Sequence, residues 1–137
     1  MAWWLLKSEP DKYSWSQLVA DGRTGWDGVR NHQAARHLRS MQLGEQAFFY
    51  HSNQGLAIVG VVEIVRLWHP DPSDASGRFG MVEVAPVMPL PTPVTLQRIK
   101  AEPALQGMAL VRQSRLSVLP VTAEEWAVIR ALGGVSP

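Results

Sequence analysis

The run Leu56-Ala-Ile-Val-Gly-Val-Val-Glu-Ile-Val-Arg-Leu67 is the longest stretch of β-branched and aliphatic side chains in the sequence. β-Branched residues are stiff about χ1 and suit a pleated surface better than a helix, so the run predicts a long strand. Gly60 within it marks a bend or bulge. One strand cannot satisfy its own backbone, and a partner lies just upstream. Ala47-Phe48-Phe49-Tyr50 reads as a buried strand, and the polar residues His51-Ser52-Asn53-Gln54-Gly55 join the two as a hairpin. Further short strands are expected at Trp3–Leu6, Phe79–Val87 and Arg115–Pro120, with the proline-rich Met88–Pro93 extended or at an edge.

Helical signals fall between these strands. Ser14-x-x-Gln17 has capping-box spacing, and Gly22 stops the short helix that follows. Asn31 is a good N-cap for His32–Met41, where Ala34, Ala35, Leu38 and Met41 recur at helical spacing. Thr95 opens a helical turn towards Ala101, and Met108–Val111 fits either helix or strand. Thr122-Ala-Glu-Glu125 starts a last helix, Glu124–Leu132, halted by Gly133-Gly134. Trp68–Gly77, with two prolines and two aspartates, reads as a loop. The pattern implies one α+β domain over residues 1–137, a closed or half-closed mixed β barrel surrounded by short helices.

Composition removes several function classes. Hydrophobic residues make up 46% and charged residues 18%, an ordinary globular balance. No apolar run approaches the roughly 18 residues of a membrane span, and Met1–Lys7 lacks the pattern of a signal peptide, so a cytoplasmic, membrane-free protein is expected. With no cysteine there are no disulfides, thiolate zinc sites or thiol nucleophiles. His32, His37, His51 and His69 show no metal-ligand spacing, and no Gly-x-x-x-x-Gly-Lys phosphate loop is present, so neither metal nor cofactor is expected. A net charge of +1 gives no broad basic surface for duplex backbone. Charge is uneven, however: Arg23–Arg39 holds four arginines against Asp27 alone.

The chemically richest stretch is Thr24-Gly-Trp-Asp-Gly-Val-Arg-Asn31. Two glycines bracket Trp26 and Asp27, which suits a loop that holds the indole out of regular structure. An indole, a carboxylate, a guanidinium and a carboxamide there form the set needed to stack on a flat heterocycle and read its edge. Lys7, Ser8 and Glu9 follow the first strand, as 51–55 follow the second, and strand ends commonly present side chains to a pocket. Other readings use the same residues. Trp26 can be core, and Arg30 can pair with Asp27 and fix the loop. Ser52, His51 and Asp27 could form a small hydrolase or nucleotide-processing site. Against that, no Gly-x-Ser-x-Gly elbow occurs, and adjacent strand residues face opposite ways. The Trp-rich surface could also serve as a protein-interaction module.

Trp4-Leu-Leu-Lys-Ser-Glu-Pro10, Tyr13-Ser-Trp15, Trp26-Asp-Gly-Val-Arg-Asn31, Phe49-Tyr-His-Ser-Asn53, Gly60-Val61 and Arg112-Gln-Ser-Arg-Leu-Ser-Val118 occur in an order that resembles the EVE domain family. The likeness spans nearly the whole chain. It implies a PUA-like pseudo-barrel related to the YTH readers of methylated adenine, and a non-catalytic nucleic-acid-binding module that takes a modified base of DNA or RNA into a pocket. On that resemblance Trp26 is the stacking aromatic, with Lys7, Ser8, Glu9, Asn31, Ser52 and Asn53 lining the pocket. Arg30, Arg36 and Arg39 are the phosphate contacts, which position a strand without reading it. The segment after Trp68 is short beside that of many family members.

Overall fold

A computed structural model describes residues 1–135. The first strand, β1 (Trp3–Ser8), is followed by α1 (Trp15–Asp21) and a two-residue strand, β2 (Thr24–Gly25). Next come α2 (His32–Ser40), β3 (Gln46–His51), β4 (Ala57–Pro70) and β5 (Gly80–Thr95). The chain closes with α3 (Leu96–Ala101), a 3-10 turn at Pro103–Leu105, α4 (Ala109–Arg112), β6 (Val118–Val121) and α5 (Ala123–Leu132).

All six strands join one mixed sheet in the order β2-β5-β4-β3-β1-β6. β1 and β3 are parallel, with Lys7 beside Tyr50 and Ser8 beside His51, so both strands deliver their polar ends to the same rim. β3 and β4 form the expected hairpin, and the register shifts next to Gly60. A Cβ at Gly60 would lie 2.5 Å from the Trp15 ring, so glycine there admits a close approach as well as a bulge. Gly80 is tighter still, with Trp68 across it. Four register shifts bend the β4–β5 ladder. In a flat sheet β2 and β3 would stand about 14 Å apart, three strand spacings. Yet the ring of Trp26, just after β2, lies 5.5 Å from that of Phe49 in β3. The sheet therefore curls towards a barrel, while β2 and β6 are not paired with each other: the half-closed form.

One apolar cluster fills the curl. Leu5, Leu6, Phe48, Phe49, Ile58 and Leu119 are fully buried, and Trp126 of α5 stacks on Phe48 at 3.9 Å. Local signals placed the helices well. Ser14 caps α1 by accepting the Gln17 N–H, Asn31 caps α2 through Ala34 N–H, and Thr122 and Glu125 complete a reciprocal capping box. At α1 the box is not closed: the Gln17 carboxamide donates to Asp21 at 2.8 Å instead of accepting the Ser14 backbone N–H.

Three expectations need correction. Trp68–Gly77 is not all loop: β4 runs to Pro70, since its pairing with β5 continues through His69 and Pro70. The last strand starts at Val118, and Arg115 lies in the preceding turn, where Leu116 N–H returns to the Gln113 carbonyl at 3.1 Å. Gly25 belongs to a strand rather than a loop, pairing with Glu83 of β5.

Candidate functional site

At the rim reached by β1, the chain turns through Glu9–Tyr13 into α1. Lys12 and Tyr13 N–H both return to the Glu9 carbonyl, and the Ser8 hydroxyl donates to the Tyr13 carbonyl. Facing this turn is the segment that leaves β2. Trp26 N–H donates to the Val82 carbonyl at 2.8 Å, and Gly28, at φ +76°, reverses the backbone beyond it. Between the two lies a cavity of about 440 Å³. Lys7, Ser8, Glu9, Lys12 and Tyr13 form one wall, and Thr24, Gly25, Trp26, Asp27 and Gly28 form the other.

Trp26 does not stand free of the fold. It is only 8% exposed and meets Phe49 edge to face at 86°. Trp26 is thus a core residue by its packing on Phe49, and it also lines the cavity. Lys7 is half-buried. Its ammonium donates to the Ser114 carbonyl at 2.8 Å and lies 5.9 Å from the Tyr50 ring centre, and burial lowers its pKa below the ordinary lysine value. Two ammonium protons remain for a guest. Glu9 pairs with Lys12 at 3.3 Å, and Tyr13 donates to Asp21 at 2.8 Å.

The loop is held from a distance. Arg30 does not pair with Asp27; its guanidinium reaches Asp71 at 3.1 Å and Ser73 at 2.9 Å. Asp71 also accepts Gly28 N–H at 2.8 Å and both the N–H and hydroxyl of Ser73. Burial alone would raise the Asp71 pKa, but these donors hold it well below the usual carboxylate range. Asp71 thus locks the far side of the Trp26 loop, a role no short-range pattern announced.

The remaining expected site residues are spread more widely. Asn31 and the hairpin turn do not border the Trp26 cavity. The Asn31 side chain is occupied in capping α2, and the residue lines a separate cleft with Gln113 and Arg115. Ser52 touches the rim through its backbone, donating to the Ser8 carbonyl at 2.9 Å, while Asn53 is exposed in a left-handed turn at φ +71°. Arg36 and Arg39 sit on α2 around a notch of about 100 Å³ that also involves His32, Arg78 and Phe79. The Arg39 guanidinium carbon lies over Trp68, 4.6 Å from the ring centre. Tyr13, Thr24 and Lys12 line the cavity but were not anticipated as site residues; Tyr13 did fall in a recognisable motif. His51 is not set up as a general base, since its Nε2 accepts the Trp15 N–H at 3.1 Å.

A curled mixed sheet of six strands surrounded by short helices, with a cavity at the end of a parallel strand pair, defines a PUA-like α+β protein. The EVE domain model matches residues 2–132, and the chain belongs to the EVE domain family. Thymocyte nuclear protein 1 of Gallus gallus is 37% identical, over 98% of this chain and 69% of that protein. Among solved structures, Rpa0253 of Rhodopseudomonas palustris is 54% identical with a TM-score of 0.93, covering 98% of this chain and 94% of that one. Human THYN1, solved in complex with 5-methylcytosine containing DNA, is 34% identical with a TM-score of 0.91, covering 100% of both chains.

Proposed function

We propose that the protein is a non-catalytic reader of a modified base in nucleic acid, and that the base enters the cavity between Lys7–Tyr13 and Thr24–Gly28. The observation that carries this reading is the cavity itself, roomy enough to admit a base and lined by Trp26 and Tyr13, in a family with a member solved on 5-methylcytosine containing DNA. Stacking on an aromatic contributes roughly 1–3 kcal/mol per base and tolerates any flat ring. Discrimination then falls to the polar groups. Asp27 and the Ser8 hydroxyl can accept from an exocyclic amine such as that of cytosine, and Lys7 can donate to a ring carbonyl. Arg36 and Arg39, on the neighbouring helix, supply sequence-independent contacts to phosphates. Arg30 acts through the loop, because its guanidinium is already held by Asp71.

The test is anisotropy binding of 5-methylcytosine and unmodified oligonucleotides, DNA and RNA, single- and double-stranded, to wild type and Asp27→Asn. A preference for the methylated strand that shrinks in the variant supports the reading. Equal binding of methylated and plain strands of every type contradicts it.

A further inference from the structure

A second concavity lies beside the first. It is a cleft of about 360 Å³ between the start of α2 and the turn before β6, lined by Asn31, Gln33, Gln113, Ser114, Arg115 and Leu116. Apart from buried Leu116, its walls are amides, a hydroxyl and a guanidinium. Planar amides and guanidinium groups make paired hydrogen bonds to base edges, Asn or Gln to adenine and Arg to guanine.

Two of the amides are joined across the cleft. Gln33 donates to Gln113 Oε1 at 3.0 Å, which fixes two amides on facing elements. That contact leaves Gln33 Oε1 and the Gln113 amide protons, an acceptor and a donor pair, open to a guest. The Arg115 side chain makes no ion pair or hydrogen bond among the described residues. The turn that carries it is tied to β1 twice, by Lys7 N–H to the Ser117 carbonyl at 3.0 Å and by Lys7 Nζ to the Ser114 carbonyl at 2.8 Å. Lys7 also lines the Trp26 cavity, so one side chain stands in the partition between the two spaces. On the other side Gly28 borders the cavity and Asn31 the cleft, and three residues span at most about 11 Å of chain.

We propose that this cleft is a second nucleotide site, one that holds the immediate neighbour of the base bound beside Trp26 and selects it by identity. The inference rests on the base-reading function above and deepens it: the protein reads a modified base in a preferred dinucleotide context. Gln113 and Arg115 are the specificity-determining residues, and Lys7 positions their turn against the first site.

The experiment uses the full chain and oligonucleotides carrying one 5-methylcytosine, with the 5′ and then the 3′ neighbour varied through all four bases. Wild type should discriminate among neighbours on one side by about tenfold. The double variant Gln113→Ala/Arg115→Ala should lose that discrimination while keeping its preference for the methylated base. An unchanged melting temperature in the variant separates this result from misfolding. No neighbour dependence in wild type overturns the proposal, and so does an equal loss across all neighbours in the variant, which would make Arg115 a phosphate contact. Free 5-methyl-2′-deoxycytidine, titrated by NMR, isolates the Trp26 cavity. Nucleoside binding without neighbour dependence sinks only the second site, whereas no nucleoside binding at all sinks both.

Discussion

The Asp71 carboxylate, fully shielded from solvent, accepts the backbone N–H of Gly28 at 2.8 Å, two residues beyond the indole that borders the cavity. One acid 43 residues away in sequence thus sets the shape of the Trp26 loop, with Arg30 as its counter-ion and Ser73 completing its shell. The cavity lies between the ends of β1 and β2 and the turns that leave them, and Asp71 holds one of those turns in place.

Asp71→Asn should therefore loosen the Trp26 loop. Hydrogen bonds to a charged group are worth about 1.5–3 kcal/mol, and a loss of about 2–3 kcal/mol in urea unfolding at pH 7 is expected. The folded-state pKa lies below the unfolded one, so the carboxylate's contribution is complete above about pH 4 and fades as the pH falls further. The gap between wild type and variant should narrow at pH 3, measured by the same unfolding curves.

Glu45→Gln tests stability away from the cavity. The Glu45 carboxylate is buried and accepts Ala2 N–H at 2.8 Å, Trp4 Nε1–H at 3.0 Å and Gln42 N–H at 2.8 Å. Burial pushes its pKa up, but these donors outweigh it and hold the group below the ordinary range. The amide variant should lower stability by about 1–3 kcal/mol. Oligonucleotide affinity should be unchanged, because Glu45 is at the opposite end of β1 from Lys7 and Ser8.

An indole held out of regular structure could be truncated without harm to the fold; the packing of Trp26 on Phe49 means it cannot. Truncating a buried Trp costs about 3–5 kcal/mol, so Trp26→Ala should melt well below wild type. Trp26→Phe keeps an aromatic ring and much of the volume. It should retain most of the stability and weaken base binding, as read by paired thermal melts and anisotropy.

Arg36→Ala and Arg39→Ala should differ. Arg36 is exposed and makes no side-chain hydrogen bond among the described residues, so its loss should weaken all sequences alike and reduce the salt slope by about 1. Arg39 also covers Trp68, and its removal should cost an additional ~0.5–1 kcal/mol of stability. Binding across a salt series, with melts alongside, separates the two effects.

Much of this fold was legible because its signals are local. The β-branched run of β4, the aromatic run of β3 and the caps at Ser14, Asn31 and Thr122 each act within a few residues. Local signals marked a strand end at Lys7-Ser8 and a Gly-bracketed loop at Trp26; only the family resemblance grouped them, and Trp26 did not escape the core, since it packs on Phe49. Other features depend on partners distant in sequence. Pro70 and Pro72 make the β4 end look like loop, and only pairing with β5 keeps His69 and Pro70 in the strand. Nothing near Asp27 signals that Arg30 will turn to Asp71 instead. Asn31 follows the Trp26 loop closely, yet its cap geometry directs it to the cleft with Gln113. The hairpin turn contributes backbone, not side chains, because β3 delivers Ser52 beside Ser8 through a main-chain bond.

The most direct measurement is an isotope-filtered NOE experiment on the protein bound to a short strand with one 5-methylcytosine. Contacts from the 5-methyl protons to the Trp26 indole and to Tyr13 or Thr24 are predicted. A bound strand whose methyl contacts fall only on α2, with none to Trp26, would contradict a base-reading cavity at this site.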